Sequence, residues 1–317
     1  MIITRSEAIA QGLTDGELRG LVRTGTYRRM LRGVYADSAS LLGEDEQRHR
    51  LRILAMARHS SYAVSHVSAA VVHGLPVSGA DLSEIHAVRI GVGGNRHRCG
   101  RHVHSGRLSA EWVTSLDGLP LTSVARTVVD MARTQPRPAS LAAADAALHQ
   151  GLCTHRDLRE ALLGVAHHRG VVRARAVVAL SDGRAESPGE SWTRLALTDP
   201  SLPAMDLQIS IYDGLGCFVA RADGGFTEYG VLWEYDGRGK YLGEYDPKVS
   251  AVDAVLAEKR RESRMTELGW VVIRVEAADL RDPVRLRARA HAALMRSRRA
   301  GWMRPEGTSM PASPRAA

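Results

Sequence analysis

Cysteine is nearly absent. The 317 residues hold three, Cys99, Cys153 and Cys217, an odd number spaced too widely for a disulfide framework or for paired-cysteine zinc ligation. That scarcity fits a reducing cytoplasm. No apolar run reaches the roughly 18 residues of a membrane-spanning helix, and the N-terminus carries no signal-peptide core, so the expectation is a cytoplasmic chain with no membrane partner. Acid is absent from one stretch and scarce in another. No Asp or Glu occurs between Leu18 and Ala36, and Arg281 to Arg304 holds eight arginines against one aspartate. Over the whole chain 43 Lys and Arg face 35 Asp and Glu, a formal charge of +8 and a pI near 9.8. A basic balance favours a polyanionic partner. The length allows about two or three domains with real cores.

Residues 1–37 contain two helix-start signatures, Thr4-Arg5-Ser6-Glu7 and Thr14-Asp15-Gly16-Glu17, each with a hydroxyl able to cap and a glutamate three later to cap back. Ile9, Leu18, Leu21 and Val22 are the expected inward residues, with Gly12 at the turn. Past Gly25 the run from Tyr27 to Tyr35 reads as strand, turn, strand, so the segment has the outline of a winged helix. Arg19 and Arg23 lie four apart on the second helix, and Arg28, Arg29 and Arg32 sit on the wing. Such cations grip phosphates and bring Arg19 or Arg23 to base edges. A small packing module with a solvated arginine surface fits the same residues.

The middle of the chain reads as α+β. Gln47 to Arg58 and Ser65 to Val72 are helical, residues 82–113 alternate in short strands, and helices follow at about 122–133, 138–149 and 154–164. His97, Cys99, His102 and His104 suggest zinc, but Arg96, Arg98 and Arg101 repel a metal ion and no paired spacing recurs. A cationic strand edge is the better reading. Arg126 and Asp130, four apart, read as a helix-surface pair.

Toward the C-terminus, the apolar run Val231-Leu232-Trp233 ends abruptly in Glu234, Tyr235 and Asp236. On a strand, Glu234 and Asp236 leave the same face, and a hairpin through Gly224 and Gly225 returns Asp223 beside Glu234. Three carboxylates at one sheet end repel unless a cation lies between them, and oxygen ligands suit Mg2+. Solvated turn acids are the plainer alternative, since Asp-Gly is common in turns. Upstream, Pro188 starts a helix carrying Glu190; downstream, Val249 to Leu268 forms a long helix stopped by Gly269, and Trp270 to Val275 a strand. A further helix follows Pro283, with Leu286, Ala290 and Leu294 inward. The tail beyond has the Pro, Gly and Ser content of a disordered segment.

Two resemblances overlay this reading. Gly12-Leu13-Thr14, Leu18-Arg19, Leu21-Val22-Arg23, Gly25 and Arg32-Gly33-Val34-Tyr35 resemble the N-terminal winged helix of the AbiEi family, antitoxins of type IV toxin-antitoxin systems that act as transcriptional autorepressors. Ser65-His66-Val67-Ser68-Ala69-Ala70 and His73-Gly74-Leu75-Pro76 resemble the region that follows in such proteins. Further on, Ser187-Pro188-Gly189-Glu190-Ser191, Asp223, Glu234-Tyr235-Asp236-Gly237 and Glu258-Lys259-Arg260-Arg261-Glu262 through Leu268-Gly269-Trp270 resemble the restriction-endonuclease-like superfamily. The likeness is to the branch similar to the very-short-patch-repair endonuclease. It implies a PD-(D/E)XK-type site in which Asp223 and Glu234 hold Mg2+ and Glu190 supports it. Asp236 stands where the general motif has lysine, so a positive charge must come from elsewhere, and Lys240 is preferred over Lys259.

The expected fold class is α+β multidomain: a winged helix-turn-helix at 1–75, an α+β middle at 76–184, an α/β restriction-endonuclease-like domain at 185–300 and a disordered tail at 301–317. The expected function is a DNA-binding AbiEi-like antitoxin and transcriptional repressor. Double-stranded DNA and a cognate toxin are its partners. The alternative is a Mg2+-dependent DNA endonuclease targeted by the winged helix, with Glu190, Asp223, Glu234, Asp236 and Lys240 catalytic. A protein-binding antidote that needs no DNA is a third reading.

Overall fold

The computed structural model describes residues 2–31, 33–39, 45–57, 62–89, 96–98, 100–104, 108–116, 118–237, 251–299 and 309–311. It is mixed α/β and divides into two compact units, Met1–Ala147 with Gly151–Ser181, and Leu148–Gln150 with Asp182–Ala317. The described residues contain three sheets and eleven α-helices. None of those helices is long and apolar enough to cross a membrane.

The first unit opens with β1 (Ile2–Thr4), α1 (Arg5–Ala10), α2 (Asp15–Arg23), β2 (Tyr27–Leu31) and β3 (Val34–Asp37). Both helices start at the expected caps. Thr4 Oγ1 accepts from the Glu7 amide at 3.1 Å while the Thr4 amide donates to Glu7 Oε2 at 2.8 Å, and Thr14 and Glu17 repeat the exchange. Each reciprocal cap satisfies donors that a helix start leaves orphaned. The three strands pair antiparallel in the order β1-β3-β2. Ile3, Ala8 and Leu18 are buried together against Leu13, Tyr27 and Tyr35. Ile9 is not inward; it is 42% exposed, because a six-residue helix anchored at Thr4 has one stripe to bury and Ala8 occupies it.

Next come α3 (Asp45–Ala57), β4 (Tyr62–Val64), α4 (His66–His73), β5 (Ile85–Arg89), β6 (Arg96–Arg98), β7 (Arg101–His104), β8 (Val113–Leu116) and β9 (Leu119–Thr122). Their six-stranded sheet has the order β6-β7-β5-β4-β9-β8. Asp45 and Glu46, ahead of the expected start at Gln47, are the first turn of α3, where acids favour the helix dipole. β4 pairs with β5 and β9, so residues 62–73 build on this sheet rather than on the one before it. Four helices follow: α5 (Val124–Thr134), α6 (Arg137–His149), α7 (His155–Leu163) and α8 (Val171–Leu180). α8 was not expected, since Gly170 at its N-cap, with φ 85°, supplies no side-chain capping bond.

The second unit contains α9 (Pro188–Leu197), β10 (Asp206–Tyr212), β11 (Phe218–Phe226), β12 (Val231–Asp236), α10 (Ala251–Glu267), β13 (Val271–Glu276), α11 (Pro283–Arg299) and β14 (Ser309–Pro311). The sheet order is β13-β12-β11-β10-β14, with β12 and β13 parallel. Gly224 and Gly225 are not the turn: they lie inside β11, paired with Trp233 and Leu232. A Cβ at Gly224 would run into the Trp233 ring and one at Gly225 into the Val231 carbonyl, so close strand packing explains both glycines. The turn lies at Thr227–Tyr229 with Gly230 left-handed. Within the segment expected to be disordered, Ser309–Pro311 pairs with β10 as an edge strand.

One core sets Leu207, Phe226, Val231 and Trp233 against Leu197, Leu286 and Ala290 of α9 and α11. Another joins Ile209, Ile211, Ala222 and Leu232 to Met265 of α10. Leu207 and Ile209, two apart on β10, thus serve different cores. The change of side falls at Gln208, whose φ is 52°.

Candidate functional site

In the second unit the expected acids come from α9, β11 and β12. Glu190, in the first turn of α9 and 7% exposed, accepts from Ser187 Oγ at 2.7 Å through Oε1. Its Oε2 accepts from the Glu186 amide and from Gln208 Nε2, each at 2.9 Å. Asp223 Oδ2 accepts from the Tyr235 amide at 2.7 Å, which ties the acid of β11 to the strand end that carries Glu234. Glu234, 4% exposed, is held by two arginines. Arg261 of α10 donates from Nη1 at 2.5 Å and from Nη2 at 3.0 Å, and Arg274 of β13 approaches Oε2 at 2.8 Å. Asp236 is half-buried at the end of β12. Lys240 lies outside the described residues. Lys259 is exposed, and no bond from it to these acids occurs among the described residues.

Arg261, Arg274 and Gln208 are the residues that sequence reasoning missed. The signal for Arg274 was a lone cation in the apolar strand Val271–Glu276; in the parallel register it stands opposite Glu234. Nothing local announces Gln208. Its side chain is buried, its Oε1 has no partner among the described residues, and a left-handed φ on such a residue costs on the order of 1–3 kcal/mol. The arrangement does not fit Mg2+ as it stands. A hard cation needs carboxylate lone pairs turned to one point, and both oxygens of Glu234 already accept from guanidinium groups. The positive charge beside Glu234 comes from arginines bonded to the acid itself.

In the first unit Arg19, Arg23, Arg28 and Arg29 are all exposed. None forms an ion pair among the described residues, whereas Arg5 is bonded to Asp15 at 2.5 Å. Arg19 and Arg29 come together with Arg5, Arg101 and Tyr35 around a cleft of about 940 Å3. Arg23 and Arg28 do not line it, and Arg32 lies outside the described residues. The arrangement offers exposed cations on a helix and a hairpin, which suits a phosphate backbone.

Behind the six-stranded sheet lies a buried polar cluster. Arg126 and Asp130 are not a surface pair; they are 4% and 1% exposed. Arg126 Nε donates to Asp130 Oδ2 at 2.8 Å and Arg133 Nη1 to Oδ1 at 2.7 Å. Asp130 therefore holds two guanidinium groups inside the protein, a pairing expensive to break from one side. His66, His86, His102 and His104 gather from α4, β5 and β7, with His104 stacked at 3.6 Å on His66 and at 3.8 Å on His102. His97 and Cys99, grouped with them in the sequence, do not enter this description, because the side chain of His97 and the whole of Cys99 lie outside the described residues. Burial, then the nearby charges, holds His66 well below the usual imidazole range and pushes His104 down too. His49 falls to about 4 through burial, while its ring bonds Ser68 Oγ at 2.8 Å and the Leu82 carbonyl at 3.0 Å.

Two proteins of Mycobacterium tuberculosis, "Uncharacterized protein MT2308" of strain CDC 1551 / Oshkosh and "Uncharacterized protein Rv2248" of strain ATCC 25618 / H37Rv, are each 32% identical to the chain over 291 residues. The alignment covers 91% of this chain and all of each relative. The chain belongs to their family. In this family member residues 62–180 match the AbiEi antitoxin C-terminal domain. The match begins after the residues on which the winged-helix resemblance rests, and includes Ser65–Ala70 and His73–Pro76. It spans β4 to α8, so the six-stranded sheet, the buried Arg126–Asp130–Arg133 triad and His66, His86, His102 and His104 all belong to the matched domain.

Proposed function

We propose that this chain is a DNA-binding AbiEi-like antitoxin and transcriptional repressor, in which β1 to β3 with α1 and α2 form a winged helix and the second unit is a restriction-endonuclease-like fold that binds without cutting. The observation that carries the proposal is the placement of four exposed, unpaired arginines on α2 and β2, preceding a domain that matches an AbiEi antitoxin. Arg19 and Arg23 follow one face of the second helix, the position from which a recognition helix reads base edges. Arg28 and Arg29 on the wing take phosphates. A toxin of the type IV class is the protein partner that the family match supports, and the cytoplasm is where such a pair works.

The second unit contributes a silent version of a nuclease site. Glu234 is neutralised by Arg261 and Arg274 and offers no free oxygen to a metal ion, so attack by metal-bound water has no starting point. A second reading, a Mg2+-dependent endonuclease, is favoured by the backbone strain at Gln208 beside the buried Glu190, since strained residues gather at active sites. Incubating the full chain with supercoiled plasmid and Mg2+ or Mn2+ separates the two. Retarded but intact plasmid supports the binder; nicking that vanishes in Asp223→Ala supports the enzyme. A chain that neither retards plasmid nor binds its own promoter fragment at low salt overturns the DNA-binding proposal itself.

A further inference from the structure

We propose that His66, His86 and His104 form a binding site for a divalent transition metal of the zinc class. One ring nitrogen of each lies within 4.8 Å of the other two. In a tetrahedral zinc site with bonds of about 2.0–2.1 Å, ligand nitrogens sit roughly 3.3 Å apart, so the three donors are already near that spacing. His86 Nδ1 and His104 Nε2 face each other at 2.8 Å, and between two neutral imidazoles that contact holds a single shared proton. A metal ion takes the place of that contact once the donating ring has passed its proton, through solvent, to its other nitrogen, so that both rings stay neutral and both facing nitrogens carry lone pairs.

The state of His66 points the same way. Its Nδ1 bonds Ser65 Oγ at 2.9 Å, the kind of outer contact that fixes the ring and tautomer of a metal-ligating histidine. In the tautomer that a metal ligand requires, Nδ1–H donates to Ser65 Oγ and Nε2 is the lone-pair nitrogen. Nε2 is buried and has no hydrogen-bond partner among the described residues, in a residue that is 2% exposed. The backbone of His66 is itself left-handed at φ 54°, a conformation that a non-glycine residue rarely holds without a reason. An apolar side chain would have filled the space without orphaning a nitrogen. Three imidazoles suit zinc, nickel, cobalt or copper and are poor ligands for Mg2+ or Ca2+. With three protein ligands the fourth position stays open, as in sites that exchange water for another ligand. His66 and His104 now stack with 12° between their planes, so binding must turn one ring until both lone pairs converge.

The test uses the full chain, stripped with chelator and titrated with Zn2+ by calorimetry, and with Co2+ as a spectroscopic reporter. The proposal expects one ion per chain. It also expects visible tetrahedral Co2+ bands without the near-ultraviolet thiolate band that a cysteine ligand such as Cys99 would add. His66→Asn and His86→Gln should each weaken Zn2+ binding roughly 100-fold, while His155→Ala on α7 leaves it unchanged. Where a variant loses its fold by circular dichroism, the Co2+ spectrum of the unaltered chain decides. Absence of binding at micromolar Zn2+, a thiolate band, or full affinity in folded His66→Asn overturns the proposal.

Discussion

Arg261 grips both carboxylate oxygens of Glu234, Nη1 at 2.5 Å and Nη2 at 3.0 Å. The pair joins α10 to β12 across the face of the sheet, and Arg274 completes the neutralisation from β13. Removing one arginine leaves a buried carboxylate short of charge, whereas removing the carboxylate leaves two half-exposed arginines that reach water. Arg261→Gln should therefore lower the unfolding free energy by about 2 kcal/mol and Glu234→Gln by less. The double variant should cost less than the two single changes added together. Urea unfolding of the four proteins closes the cycle, and strict additivity would show that the two side chains do not interact energetically.

DNA binding should carry a steep salt dependence. Replacing Arg19, Arg23, Arg28 and Arg29 by alanine should weaken binding to every duplex and reduce the slope of log K against log salt by about 0.9 for each arginine that contacts a phosphate. Fluorescence anisotropy between low and physiological salt measures both. A quadruple variant with an unchanged slope places the DNA contact elsewhere.

Stability should fall on mild acidification. His49 takes up its proton only near pH 4 in the folded chain, against about 6.5 when unfolded. Between those values the unfolded state binds the extra proton, so the contribution is complete above about pH 6.5 and declines toward pH 4, on the order of 3 kcal/mol in all. His66 and His104, also depressed by burial, act in the same direction. Thermal melts from pH 7 to pH 4.5 should show a falling midpoint, with a shallower fall in His49→Gln. A midpoint independent of pH would mean that these rings are solvated.

Gly189 sits in the first turn of α9, where an added Cβ would strike the Tyr235 ring. Gly189→Ala should destabilise the second unit by about 1–3 kcal/mol through overpacking, even though alanine is the better helix former. Gly20→Ala, in open space on α2, is the control and should be neutral or slightly stabilising. Equal melting temperatures for the two variants would contradict the close packing of α9 on β12.

Much of the element order was legible because caps, glycines and prolines punctuate it. Thr4, Thr14 and Thr154 cap helices with the acids three residues on, and Pro188 and Gly269 bound theirs. Features built from distant parts of the chain were hidden. Period-two alternation puts Leu207, Ile209 and Ile211 on one face, yet Gln208 turns the strand and divides them between two cores. The spacing of Arg126 and Asp130 describes a helix pair equally well at the surface or inside, and only the packing around α5 decides. The acids of the second unit were found from their placement after an apolar run, but the arginines that occupy Glu234 come from a helix and a strand further on. The histidine cluster needed three elements brought together, of which the sequence offered only the pair on β7.

The strand β14 comes from near the end of the sequence, and three residue pairs hold it to β10. It shields the rim of the five-stranded sheet, which would otherwise present open amides and carbonyls to any extended chain. The seal is short enough to be exchanged. The same three residues of another copy match that rim as well as the chain's own, so crowding favours a reciprocal swap of tails. Affinity handles fused downstream of Pro311, and proteases that trim there, act on the seal itself.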